Sequence, residues 1–255
     1  MSIDPVEGWL MALDERHLAE LTPREVGRAL RALSSCYVER RARLATGGAL
    51  DSAGKRAAFA LFYAPLHFLV VRHIVESLAG CSEGVRAVAD IGCGTGAAGA
   101  AWAIEAGGAP VHGIDRNSWA VAEANWTYAR LGLAGRAVHG DAARARLGAD
   151  HGKAILAAYT VNELSDGARG AVLESFEGAH RDGARVLVIE PISRRTTPWW
   201  GSWERAALSR GGRSDEWRFP SVLPERQKSL AKAAGLDPRE LTARTLYWPP
   251  IGGLR

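Results

Sequence analysis

Apolar positions along the first third of the chain recur at helical spacing. After "TPRE", Thr22 to Glu25, the residues Val26, Leu30, Leu33 and Tyr37 fall three or four apart and share one face. Thr22 with Glu25 three positions on predicts a capping box, and Pro23 suits the first helical position. "TGGALDSAG", Thr46 to Gly54, breaks the pattern. A second helix is predicted over Lys55 to Leu78, bent at Pro65, which has no N–H to give the helix.

After "AGCSEG" the period shortens. Compact apolar runs at Val85–Gly92, Ala109–Asp115, Gly135–Asp141, Lys153–Thr160 and Ala184–Pro191 read as buried strands. Helical patterns at Ala97–Ala106, Ser118–Leu131 and Asp166–His180 separate them. Regular alternation of strand and helix predicts an α/β fold, doubly wound and mostly parallel, with helices on both faces. Residues 1–80 are expected to form a helical N-terminal cap and residues 81–255 the sheet domain. Within the latter, 193–222 is rich in Trp, Arg and Gly and reads as an inserted lid or loop with a short helix. An amphipathic helix over Pro224–Leu236, stopped by Gly235, and a last strand in "RELTARTLYW" complete the chain.

Composition adds limits. The chain has 255 residues, 47% hydrophobic and 24% charged, as in water-soluble globular proteins. The run Phe59–Val71 is too short and interrupted to be expected to span a bilayer. The first residues, "MSIDPVEGW", lack a basic segment followed by an apolar one, so a cytoplasmic location is expected. Cys36, Cys81 and Cys93 have no metal-ligand spacing, which predicts reduced thiols and no metal. Net charge is +4, and only four of the 32 basic residues are Lys. That excess of Arg fits either a composition bias or a partner carrying phosphates.

The densest chemistry lies in "ADIGCGTGAAG", Ala89 to Gly99, which follows a strand and opens a helix. Gly92, Gly94 and Gly96 allow a tight turn and close approach of a ligand to the backbone, and the helix beyond presents free N–H groups. Asp115 ends the next strand, where a carboxylate can accept both hydroxyls of a ribose. These two features alone also suit NAD. The loop, however, is spaced D-x-G-x-G-x-G, and a further acid, Asp141, follows the third strand. An aspartate there also suits a turn or a helix cap.

The combination resembles the class I S-adenosylmethionine (SAM)-dependent methyltransferases. The resemblance implies a Rossmann-like methyltransferase sheet with SAM as cofactor and S-adenosylhomocysteine as product. It implies that Asp90, Gly92, Cys93, Gly94 and Gly96 face the methionine part of the cofactor. Asp115, with the adjoining Arg116, would hold the ribose, and Asp141 with Ala142 would read the adenine. The segment "AYTVNEL" at the end of the fourth strand resembles the family run that lies beside the cofactor. Ala158 and Tyr159 would then neighbour the cofactor, and Tyr159, Asn162 and Glu163 are the catalytic candidates on the acceptor side. Asn162 and Glu163 equally suit the start of the next helix.

Methyl transfer asks the protein mainly to align and desolvate. Aromatic faces suit a sulfonium. Phe62, Tyr63 and His67, just before the cofactor strand, and Trp199, Trp200 and Trp203 in the insert suit either a substrate wall or simple packing. Arg194, Arg195, Arg205, Arg210 and Arg213 beside the latter suit an anionic partner. "CYVERR", "YTVNEL" and "LVIEP" together resemble the methyltransferase-like proteins associated with the small ribosomal subunit. That resemblance implies RNA or a ribosomal component as acceptor. Mitochondrial members carry a cysteine cluster for an iron–sulfur centre, which three scattered cysteines do not supply. Two alternatives stay open: a small-molecule O- or N-methyltransferase, and a SAM-binding assembly factor without catalysis. No membrane partner is expected.

Overall fold

The fold is described from a computed structural model, which covers residues 4–39, 50–148, 150–193, 197–236 and 238–251, with no side-chain description for 36–39. Tyr37, Arg194 and Arg195, named above, therefore lie outside what is described.

Helices α1 (Pro5–His17) and α2 (Pro23–Glu39) come first. The predicted capping box is formed: Glu25 Oε2 accepts from Thr22 N at 2.8 Å, and Glu25 N donates to Thr22 Oγ1 at 3.3 Å. Next come α3 (Ala53–Ala58), a π-turn (Phe59–Tyr63) and α4 (Ala64–Ser77), which follow one another without a break. The irregularity expected at Pro65 appears one turn earlier, as the π-turn. In the π-turn Ala64 N reaches back to Phe59 O, and Leu61 O, which Pro65 has no N–H to meet, accepts from the buried Gln227 side chain at 2.8 Å. Ala53–Ser77 is consequently one 25-residue apolar stretch, long enough to cross a membrane by length and composition. This corrects the sequence expectation on length. Much of the stretch is packed inside the protein. Gln227→Leu is expected to lower stability by about 1–3 kcal/mol in urea unfolding, because it leaves the Leu61 carbonyl buried without a donor.

The sheet has seven strands in the order β3-β2-β1-β4-β5-β7-β6. Strands β1 (Ala87–Ile91), β2 (Val111–Asp115), β3 (Gly135–His139), β4 (Lys153–Ala158) and β5 (Arg185–Glu190) are parallel. Helices α5 (Ala97–Glu105), α6 (Ser118–Arg130) and α7 (Asp166–Arg181) connect them, as the alternating pattern predicts. After α8 (Trp200–Leu208), β6 (Arg213–Pro220), α9 (Glu225–Ala234) and β7 (Glu240–Trp248) close the fold. β7 runs antiparallel to both β5 and β6.

The lid reading of 193–222 needs correction, because its second half is the edge strand β6. Its sequence, "RSDEWRFP", is mostly polar because one face of an edge strand meets water. One hydrophobic cluster joins α1 to α6 and the N-terminal helices to the sheet; a second lies under α7 and α8 on the other face. The first helix is anchored by ion pairs of Arg16 and Asp14 and by a hydrogen bond of His17. Buried Glu123 on α6 receives Arg16 at 3.0 Å and His17 at 2.7 Å, and Asp14 meets Arg226 of α9 at 2.8 Å.

Candidate active site

In a parallel sheet the carboxyl ends of the strands form the ligand edge. Here the strand order reverses between β1 and β4, so the loops after these two strands face each other. The loop after β1 is tied to β2, because Gly92 N and Cys93 N both donate to Ile114 O, at 2.8 and 3.0 Å. It is tied to the β4 end by Thr160, whose hydroxyl lies 3.2 Å from Gly92 O and 3.1 Å from Ala158 O. Gly92 has φ +71°, and a Cβ there would come within 2.3 Å of Thr160. At Gly94 the space is open: a Cβ would meet nothing nearer than the Phe59 ring, at 4.0 Å.

Asp115 organises the other side of this space. One carboxylate oxygen accepts from Gly94 N at 2.9 Å and the other from Asn117 N at 2.8 Å. Asn117 in turn caps α6 by accepting from Trp119 N and Ala120 N. Each Asp115 oxygen keeps acceptor capacity for a further donor such as a hydroxyl. Arg116 reaches across to Glu163 at 3.9 Å, so groups following β2 and β4 meet over the end of β1.

Two of the proposed cofactor contacts are corrected. The Asp90 side chain turns inward and accepts from Gly99 N at 2.9 Å, beneath the first turn of α5, so it fixes the loop from below. The Cys93 side chain is buried against Gly113 and Tyr128, which leaves only its backbone in the loop. Burial pushes the Asp90 carboxyl up to about 7 and the Cys93 thiol well up as well. Folded Asp90 therefore holds its proton between about pH 4 and 7 while the unfolded carboxyl loses it, so this group lowers stability as pH rises through that window. Asp90→Asn, which keeps an oxygen for Gly99 N, is expected to flatten the fall in melting temperature between about pH 4 and 7.

Asp141 takes the capping alternative: exposed, it accepts from Ala143 N at 3.0 Å and starts a short turn over Ala142–Arg144. This turn stands beyond β3, on the Asp115 side of the sheet.

At the β4 end, Tyr159 is the one non-glycine residue with positive φ among the described residues, at 58°. Its N–H donates to Ile189 O at 2.8 Å, and its ring stacks on His67 at 4.2 Å and 19°. Burial lowers the His67 pKa to about 4, so the ring is neutral at neutral pH, and it raises that of the Tyr159 hydroxyl. The Tyr63 ring lies 6.2 Å from His67. Phe62, by contrast, is core.

Asn162 and Glu163 do not begin α7. They sit in a separate turn, Val161–Glu163, and Ser165 caps the helix. Asn162 N donates to the buried carboxylate of Glu190 at 3.1 Å, and its side-chain oxygen accepts from the Trp199 indole at 3.1 Å. Trp199, Trp200 and Trp203 are themselves buried in the second cluster. Trp203 meets Phe176 edge-on, and Arg244 lies 3.9 Å over Trp200. This corrects their assignment as substrate-stacking groups: Trp199 reaches the site through its bond to Asn162. Sequence reasoning passed over Phe59, Thr160 and Glu190. Glu190, an acid ending the apolar run Val186–Ile189, carried the readable signal.

Among the described residues no group of three or more His, Cys, Asp or Glu is arranged to hold a metal. The arrangement does fit SAM. The Gly94 backbone is open to a ligand, Asp115 can accept from a ribose, and an aromatic wall lies on the β4 side.

Residues 88–183 match the family profile described as a methyltransferase domain. In fold the chain is similar to a SAM-dependent methyltransferase from Aquifex aeolicus, at 18% identity over 72% of this chain and 91% of that one, with a TM-score of 0.49. It is also similar to precorrin 8w decarboxylase from Methanobacterium thermoautotrophicum, at 20% identity over 71% and 89%, with a TM-score of 0.49. No curated protein matches the chain. The matched segment, β1 through α7, contains the glycine loop, Asp115, Asp141 and the β4 end.

Proposed function

We propose that this methyltransferase delivers the methyl group to RNA or a ribosomal component entering beside the end of β4. SAM supplies an activated methyl group on a sulfonium. The chain's part is to hold and orient: Gly94 and Asp115 on the cofactor side, Asn162 and Glu163 on the acceptor side. The Trp199 indole fixes the Asn162 oxygen, which orients the amide N–H groups that Asn162 can offer an acceptor. Glu163 can accept a proton or hydrogen bond from a nucleophile that starts protonated.

The observation that carries the choice of RNA is one edge of the molecule. Arg116, Arg130, Arg136, Arg144 and Arg146 are all exposed along α6, β3 and the turn after it. Two acids lie in the same span: Glu123 is buried under Arg16 and His17, and Asp141 caps its turn. Phosphates suit such an edge. The burial of Trp199, Trp200 and Trp203 favours the second reading, a small-molecule O- or N-methyltransferase, because it removes the base-stacking platform from the argument.

Labelled methyl transfer from SAM to separated RNA, protein and small-molecule fractions tests the choice. Label in RNA, with binding that weakens steeply as salt rises, is the expected result. Label confined to small molecules would overturn it. SAM binding with no label in any fraction would leave the non-catalytic assembly factor. Asn162→Ala with Glu163→Ala is expected to keep SAM affinity and lose most transfer; full transfer would remove both from the acceptor side.

A further inference from the structure

We propose that the continuous helix α3–α4 completes the cofactor site through its π-turn, and that Phe59, Tyr63, His67 and Tyr159 form an aromatic wall that recognises the positive charge of the sulfonium. The proposal rests on the assignment of SAM as cofactor and adds Phe59, Tyr63 and His67, which lie outside the matched methyltransferase segment.

Three observations carry it. The first is position. Phe59 opens the π-turn, and its ring edge bounds the open space above Gly94 at 4.0 Å. The extra residue of a π-turn rotates the side chains that follow it, and such turns are common at functional sites. The second is continuity. Phe59 meets Tyr63 and His67 at 5.9 Å each, and His67 stacks on Tyr159 at 4.2 Å. Rings from the π-turn and α4 and from the β4 end therefore form one surface, next to the loop that Thr160 clamps. The third is the strain at Tyr159. A tyrosine held at φ 58° costs energy, and residues so held cluster at ligand sites.

A face of this kind attracts a cation through the ring quadrupole. His67, kept neutral by burial, adds no opposing charge. A wall built only for packing would treat charged and neutral cofactors alike, whereas this one would separate SAM from its uncharged product.

Calorimetry with SAM, S-adenosylhomocysteine and sinefungin, whose amine takes the place of the sulfonium, tests this on the full chain. Phe59→Leu and Tyr159→Leu are expected to weaken SAM and sinefungin by roughly five- to thirtyfold and to leave S-adenosylhomocysteine within about twofold. Tyr159→Phe, which keeps the ring, is expected to bind all three like the wild type. Unchanged S-adenosylhomocysteine affinity also reports that the variants are folded. Equal loss for all three ligands, or no loss for any, would overturn the proposal. A wild-type protein that binds none of them would overturn the cofactor assignment itself, and the proposal with it.

Discussion

Gly92→Ala should all but abolish cofactor binding. The added Cβ would sit 2.3 Å from Thr160 Cγ2 and 2.4 Å from its hydroxyl, distances at which one partner has to move. Thr160 is not free to turn away, since its hydroxyl is held between Gly92 O and Ala158 O. The backbone adds its own cost, because φ +71° is a conformation that an L side chain occupies at about 1–2 kcal/mol. The loop must therefore shift, and Gly94 and Asp115 shift with it. Calorimetry is expected to show a loss of SAM affinity of more than about a hundredfold, equivalent to about 3 kcal/mol. Adding Thr160→Ala removes the two nearest atoms and leaves a Cβ contact of 2.9 Å, so the double variant should recover part of the affinity. No recovery would mean that backbone strain, and not the collision, sets the effect. Wild-type affinity in Gly92→Ala would remove this loop from the cofactor site.

Asp115→Ala is the second large expectation. The carboxylate holds Gly94 N and Asn117 N at the same time, so its loss frees the glycine loop and the start of α6 together. It also removes the acceptor proposed for the ribose hydroxyls. Hydrogen bonds to a charged group are worth about 1.5–3 kcal/mol each, so losing two or more should cost SAM at least about a hundredfold in affinity. Asp115→Asn separates the two duties. Its single oxygen can keep one backbone contact, so the fold should be spared more than the affinity. A variant that melts like wild type and binds SAM normally would refute the ribose role.

The regular part of this fold was legible because its pattern is local. β1 to β5 and α5 to α7 follow from short apolar runs alternating with helical spacing, and Thr22 with Glu25 announces α2. β6 was hidden, since "RSDEWRFP" carries its few apolar residues toward one face only and looks like a loop. The indoles of Trp199, Trp200 and Trp203 carry no sign in sequence of which way they point; the packing of α8 under the sheet decides that. In the site, the glycines and Asp115 could be read because backbone geometry dictates their type and spacing. The clamp of Thr160 on Gly92, 68 residues apart, could not. Neither could the approach of Phe59 to Gly94, which depends on how the π-turn lies against the sheet. Asp90 and Cys93 were read as ligand contacts because they stand among the glycines, but a residue in a strand or tight turn has two sides, and these face inward.

The ionic anchoring of α1 bears on the order in which the protein can be made. Arg16 and His17 wait for Glu123, more than 100 residues later in the chain, and Asp14 waits for Arg226, 212 residues later. At the usual pace of synthesis, about 5–20 residues per second, the last of these partners follows its mate by roughly 10–40 seconds. Trp9, fully buried in the finished protein, is covered earlier, by Phe68 of α4, but the ionic seat of α1 stays incomplete for that interval. The N-terminal helix is thus synthesised early and seated late, and the growing chain is most open to misassembly or to a chaperone's grip before residue 226 emerges.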